Sequence, residues 1–259
     1  MAFLRRNASN IVVPIVFGVL LLVCWELFID WRNVKPYILP TPSSIWREGL
    51  RKSDLLRDAA IVSGQNALVG LLLGIVLGTL GAMVANRFRI LSDLVVPLSA
   101  AIAAVPIVVV VSIMNKMFGV SSQVSRRLMV LIVVFLVVFV NVARGLSQND
   151  PTQVELMRSY AASDRQIMRK VRLPNALPFL FTAIKIAAPL SVTTAFVSEY
   201  FGGTQDGLGY KITAAMTGSK YPLGWAYVGA ACVLGLLFFA IANLLEYLAV
   251  PWLRRRDST

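Results

Sequence analysis

Six apolar runs, each near the length of a membrane crossing, alternate along this chain with polar stretches. The apolar runs cover residues 11–29, 62–85, 94–114, 127–143, 177–198 and 224–248. About 20 residues of helix cross ~30 Å of hydrocarbon, so each run predicts a transmembrane helix. The most informative polar stretch, residues 149–175, reads NDPTQVELMRSYAASDRQIMRKVRLPN. Its punctuation predicts two short helices held at the membrane surface. Asp150 is placed to act as N-cap, Pro151 fits the first helical position, and Gln153 can close a capping box. Ser163, Asp164 and Gln166 repeat the signal one helix later. Leu173 and Pro174 are expected to stop the second helix before the next apolar run.

Between the first two runs, Pro36, Pro40 and Pro42 predict an extended chain. Ser43 or Ser44 can then cap an amphipathic helix whose apolar face is Ile45, Trp46, Leu50, Leu55 and Leu56. Such a helix lies in the interface plane, where it can also present a docking surface. Trp25, Trp31 and Tyr37 read as interfacial anchors. No small-x-small cleavage site follows the first run, which favours a retained helix over a signal peptide. In the second run Gly70, Gly74 and Gly78 share one helix face, with Gly81 beside them, predicting close helix packing within one subunit rather than a dimer interface. Pro97 and Pro106 interrupt the third run and Pro189 the fifth, which permits kinks.

Composition agrees with the pattern. The 259 residues are 57% hydrophobic and 15% charged, with a mean hydropathy of +0.72. The fold class is therefore all-α integral membrane protein with six transmembrane helices. A net charge of +12 raises the question of nucleic acid, but many basic residues flank apolar runs, where lipid headgroups favour them. Nucleic acid is excluded on that ground. Six crossings put both termini on one side. Arg5, Arg6, Arg87, Arg89, the basic 158–172 stretch and Arg254 to Arg256 then face the cytoplasm. Arg47, Arg51, Lys52, Arg57, Arg126 and Arg127 fall on the other side and weaken the bias. The chain divides into a first helix with its linker (1–60), a transmembrane domain (61–250) and a basic tail (251–259).

The chemistry the chain lacks is also informative. It has no histidine, and Cys24 and Cys232 lie far apart within apolar runs, so no metal site or disulfide framework is expected. No G-x-x-x-x-G-K-[ST] occurs, and Gly207-x-Gly209 reads as a turn. No nucleophile–base pair can be proposed without histidine, so the chain is not expected to be an enzyme. Polar residues at depth suggest a pathway: Ser112, Asn115, Ser191, Thr194 and Glu199 are candidate lining groups. Lys185 is expected to snorkel to the near interface.

The 149–175 stretch resembles the EAA loop of bacterial ABC importer permeases, the binding-protein-dependent inner-membrane components. Glu155 matches the family's Glu, Ala161 stands at its Gly position, and Val171-Arg172-Leu173-Pro174 matches its end with the spacing kept. Leu156 and Met157 replace two alanines. If the turn needs a positive φ, Ala161 is strained. The Tyr37-Ile38-Leu39-Pro40-Thr41-Pro42-Ser43 segment, Phe118-Gly119 and Gly207-Leu208-Gly209 are similar to the nitrate/sulfonate/taurine/pyrimidine branch. Asn66 stands where that branch usually has an arginine.

The resemblance implies the type I importer (MetI-like) permease fold with cytoplasmic coupling helices in a bacterial inner membrane. Its implied partners are two ABC ATPase subunits, a second permease copy in a homodimer or heterodimer, an extracytoplasmic binding protein and the lipid bilayer. No cofactor is expected on this chain, because ATP and magnesium belong to the ATPase. The implied coupling residues are Glu155, Leu156, Met157, Arg158, Tyr160, Ala161, Arg165, Leu173 and Pro174, with Val154 adding apolar contact. A stand-alone secondary transporter or channel and a non-transporting scaffold are the alternatives. Glu199-Tyr200-Phe201-Gly202-Gly203 leans towards pyrimidine or flavin-precursor members, with nitrate, taurine and alkanesulfonates open.

Overall fold

The computed structural model describes residues 2–88, 97, 104–119, 122–202 and 206–250, without the side chains of 2–11, 14 and 15. Arg5, Arg6, Arg89, Gly203, Arg254 to Arg256 and most of the 94–103 half of the third expected span lie outside the described side chains or residues.

The described residues form a succession of helices joined by short turns. Helix α1 spans Ala2–Arg32, α2 spans Pro42–Arg51, α3 spans Ser53–Arg87, α4 spans Ile107–Phe118 and α5 spans Gln123–Ser147. After them come α6 (Pro151–Ser159) and α7 (Asp164–Ile167), then a π turn (Met168–Arg172) leading into α8 (Leu173–Gly202). Helices α9 (Leu208–Thr217) and α10 (Tyr221–Ala249) complete the order. Among the described residues four helical stretches are long and apolar enough to cross a membrane: α3, α5, the continuous Asp164–Gly202 stretch and α10. Helix α1 and the shorter apolar α4 stand at the places of the first and third expected spans.

The core forms where α3, α5 and α8 meet. Val130, Val134, Val138 and Leu146 of α5 pack against Ala67, Leu71 and Ala82 of α3 and Ala183, Ala187, Val192 and Ala195 of α8. Small residues make this approach possible. A Cβ added at Gly74 would lie 2.6 Å from Val134, and one at Gly78 would lie 2.9 Å from the Phe135 carbonyl oxygen. The glycine face is therefore used inside the subunit. The gain is van der Waals contact between backbones, since apolar burial gives no advantage over lipid. A second cluster joins Ala59 at the start of α3, Leu208, Ile212 and Ala215 of α9, and Leu223 and Tyr227 of α10. Outward-facing apolar residues of α1, α3 and α10, such as Phe17, Leu72 and Leu236, remain exposed on the surface.

Several expected boundaries move. Pro42 does not extend the linker. It is the first residue of α2, where a missing N–H is harmless, and Thr41 is the N-cap, accepting from Ser44 N at 3.3 Å. Ser43 instead donates its N–H to Glu26 of α1 at 3.1 Å, tying the two helices together. The amphipathic helix ends at Lys52, so Leu55 and Leu56 belong to α3, which runs straight into the second span. Pro174 does not stop a helix either. The Leu173 N–H reaches back to Met168 O across the π turn, and α7 continues into α8. Widening the helix by one residue just before a proline relieves the clash of its ring with the preceding turn. Lys185 has a partner within the bundle. Its Nζ pairs with Glu246 Oε2 of α10 at 2.6 Å, a part-buried ion pair between two spans.

Candidate functional site

Two polar constructions lie at opposite ends of α5 and α8. The first is the 149–175 knuckle. Asp150 caps α6 by accepting from Thr152 N at 2.9 Å, with Pro151 at the first position. The reciprocal capping box forms at α7 rather than at α6. There Ser163 Oγ accepts from Gln166 N at 3.4 Å and Gln166 Oε1 accepts from Ser163 N at 2.8 Å. Between the helices, Ala162 N donates to Met157 O at 3.0 Å and Ala161 N donates to Arg158 O at 2.9 Å. This pair of bonds is the Schellman ending, in which the residue after the C-cap takes the left-handed conformation. That residue is Ala161, with φ of +54°. The turn thus requires positive φ, and Ala161 is strained by about 1 kcal/mol relative to glycine.

The knuckle is fastened to the bundle along one side. Ile167 is buried, and Met168 and Leu173 pack on the main core. Asn175 Nδ2 donates to Gly145 O at 3.1 Å and to Gln148 O at 2.6 Å, clamping the end of α5. The other side is open. Tyr160 is 77% exposed and Leu156 56% exposed, and Glu155, Arg158, Ala161 and Arg165 are also exposed. Val154 and Met157 are half-buried, and Pro174 is exposed in the first turn of α8. Two large apolar side chains presented among charges, on a turn locked by three local caps, make a rigid surface left uncovered by the described residues.

The second construction surrounds Glu199, which is fully buried near the end of α8. Ser63 Oγ of α3 donates to Glu199 Oε2 at 2.6 Å and accepts from Leu208 N of α9 at 2.9 Å. Gly209 N donates to the same carboxylate oxygen at 3.3 Å, and Asn66 Nδ2 donates to Oε1 at 3.5 Å. Asn66 Nδ2 also donates to Gln123 Oε1 at 2.7 Å, as does Arg126 Nη1 at 2.7 Å, while Arg127 Nε donates to Asn66 Oδ1 at 3.2 Å. Arg126 is wholly buried, and its Nε and Nη2 have no hydrogen-bond partner among the described residues. Gly207 and Gly209 do more than turn the chain. A Cβ at Gly207 would collide with the Glu199 carboxylate, and one at Gly209 would lie 2.7 Å from Tyr200 N.

The remaining lining candidates are dispersed. Ser112 is exposed and donates to Val108 O of its own helix at 3.0 Å. Asn115 is buried and accepts from Ser125 Oγ at 2.7 Å, beside Gly202. Ser191 and Thr194 are buried and donate back to Ala188 O at 2.7 Å and Leu190 O at 2.8 Å. Ser63, Gln123 and Arg126 were not singled out as site residues from sequence. The available signals were an intramembrane glutamate in need of donors and an arginine pair opening an apolar run.

The profile of the family described as "Binding-protein-dependent transport system inner membrane component" matches residues 70–255. The formylaminopyrimidine transport permease protein ThiX of Halalkalibacterium halodurans is 31% identical, over 97% of this chain and 100% of that protein. The riboflavin transport system permease protein RibX of Chloroflexus aurantiacus is 27% identical, over 90% of this chain and 87% of that protein. The putative aliphatic sulfonates transport permease protein SsuC of Bacillus subtilis is 26% identical, over 90% of this chain and 84% of that protein.

Proposed function

The chain belongs to the family of binding-protein-dependent transport system inner membrane components, as a multi-pass permease subunit of an ABC importer; from that premise we propose that its 149–175 knuckle receives force from a separate ATPase. The observation that carries this reading is the one-sided fastening of the knuckle. Asn175, Ile167 and Leu173 hold it to the bundle, and Leu156 and Tyr160 stand free on the opposite side. Leu156, Tyr160, Val154 and Met157 supply apolar contact with a groove on the ATPase. Glu155, Arg158 and Arg165 set the register through charge-assisted bonds.

Helix α8 begins in this knuckle, through α7 and the π turn, and crosses the membrane without a break. Closure of the ATPase dimer around ATP therefore tilts α8 and, through the close glycine contact, α5 and α3. Alternating access follows from that motion when two permease copies face each other as a homodimer, with Ser112, Asn115, Ser191 and Thr194 as candidate pathway residues; Glu199 is enclosed among its own donors. ATP and magnesium act on the ATPase and not on this chain.

The knuckle and both termini face the cytoplasm in this reading. Burial supports the orientation, because Arg126 is packed inside the bundle and so drops out of the count of basic residues on the opposite side. The substrate is a small pyrimidine-type or flavin-precursor solute handed over by the binding protein. What supports it is the similarity to the formylaminopyrimidine and riboflavin permeases. The test is Tyr160→Ala and Glu155→Ala in a complex with the ATPase. Loss of ATPase association with a normally folded permease supports the coupling role. Full association and full transport in both variants remove it.

A further inference from the structure

At the end of α8 remote from the knuckle, a polar network of four elements surrounds one carboxylate, which bonds directly to α3 and α9 and is linked to α5 through Asn66. Glu199 belongs to α8, Ser63 and Asn66 to α3, Gln123 and Arg126 to α5, and the Leu208 and Gly209 N–H groups to the start of α9. The first N–H groups of any helix lack intrahelical acceptors. Here they are satisfied from other helices, by Ser63 Oγ and by Glu199 itself. A carboxylate at a helix N-terminus also meets the positive end of its dipole.

The arrangement adds polar bonds where two apolar clusters adjoin, with α3 and α10 contributing to both. Helices α3, α5 and α8 share the main apolar core, while α9 is buried in the second cluster through Leu208, Ile212 and Ala215. Glu199 sits between the two clusters, and its bonds to α9 are polar and directional where the apolar packing around it is not. Gly207 and Gly209 let the backbone come close enough to make them, since a side chain at either position would occupy the space of the carboxylate or of the α8 backbone. The continuous helix from Asp164 to Gly202 is 39 residues long. From Asn175, at the end of the knuckle, to Glu199 it carries a displacement over about 36 Å at 1.5 Å per residue.

We propose that Glu199 is a positioning residue that transmits the movement of α8 to α9, so that the second apolar cluster shifts with the coupling stroke. The inference rests on the proposed role of the knuckle. A nonpolar contact would allow α8 to slide past α9. A carboxylate shared by Ser63 Oγ and Gly209 N obliges both to follow it.

The test uses the permease assembled with its ATPase and binding protein in proteoliposomes, with Glu199→Gln as the first variant. It keeps the shape and removes one acceptor oxygen and the charge. The expected result is assembly and basal ATP hydrolysis within about twofold of the unaltered complex. Transport and binding-protein-stimulated hydrolysis should both fall about tenfold or more. Gly209→Ala, whose added methyl forces α9 away from the α8 backbone, should give the same uncoupled pattern. Transport and stimulation unchanged in Glu199→Gln overturn the proposal, and so does a parallel loss of basal and stimulated hydrolysis. Should Glu199→Gln fail to assemble, Ser63→Ala decides. Stimulation reduced about fivefold with basal hydrolysis kept supports the proposal, and unchanged stimulation overturns it. Tyr160→Ala run in parallel separates the two readings. If it loses ATPase association while Glu199→Gln transports normally, only the inference about Glu199 fails.

Discussion

The knuckle at 149–175 and the cluster around Glu199 are both polar, both at the ends of the same two long helices, and built on opposite principles. In the knuckle almost every hydrogen bond is local. Asp150 caps Thr152, Ser163 and Gln166 bond each other, and Ala161 and Ala162 close onto Arg158 and Met157. Around Glu199 the bonds join residues far apart in sequence: Ser63 to Glu199, Asn66 to Gln123, Leu208 to Ser63. The knuckle presents its side chains outward, whereas the cluster leaves no side chain of Glu199, Ser63 or Arg126 in contact with solvent. A segment that satisfies its own backbone can face a partner as a rigid body. A segment whose polar groups are satisfied only by other helices holds those helices in register. The two designs predict opposite consequences of mutation, folding being sensitive at one end and assembly at the other.

The largest effect on stability is expected at the buried end. Glu199→Ala removes the acceptor of Ser63 Oγ and Gly209 N, one of the two acceptors of Asn66 Nδ2, and a negative charge near the buried Arg126. A loss of about 3 kcal/mol should lower the thermal unfolding midpoint in detergent by several degrees. A midpoint unchanged by Glu199→Ala would break the comparison. Next is Gly74→Ala, whose added methyl meets Val134 at 2.6 Å in the α3–α5 contact. About 2 kcal/mol of overpacking is expected, read as a lower midpoint in the same assay. Ala161→Gly should act in the other direction. Relief of the positive φ is partly offset by the freedom glycine gains in the unfolded chain, leaving a net stabilisation of about 0.5 kcal/mol. The measurement is the same midpoint, with the full ATPase association retained. The smallest stability effect is expected for Tyr160→Ala, within about 0.5 kcal/mol, because its ring is exposed. Its effect should appear as loss of ATPase co-purification.

The same contrast explains what could be read from sequence. The caps at Asp150 and Ser163 were legible because a cap is a short-range pattern. The strain at Ala161 followed from the same local logic once a Schellman ending was in place. Most apolar runs became helices two to nine residues longer than expected at their ends, as α3 (Ser53–Arg87) and α8 (Leu173–Gly202) show, because helical hydrogen bonding continues past the hydrocarbon edge. The stop expected at Pro174 was misread. A proline signals a defect in the helical ladder, and only the tertiary setting decides between a break and a π turn. The partners of Glu199 were not legible at all. Ser63, Gln123 and the N–H groups of Leu208 and Gly209 carry no local mark of their meeting, and Gly207-x-Gly209 looks like any turn until the carboxylate is placed against it. Likewise Lys185 revealed its pairing with Glu246 only when α8 and α10 were packed together.

The most direct test of the account is chemical accessibility at Tyr160. Cys24 and Cys232 are replaced by serine, Tyr160→Cys is introduced, and a membrane-impermeant maleimide is applied to right-side-out and inside-out vesicles, with and without the ATPase. The account predicts labelling only in inside-out vesicles, and protection there when the ATPase is present. Labelling in right-side-out vesicles, or equal labelling with and without the ATPase, would contradict it.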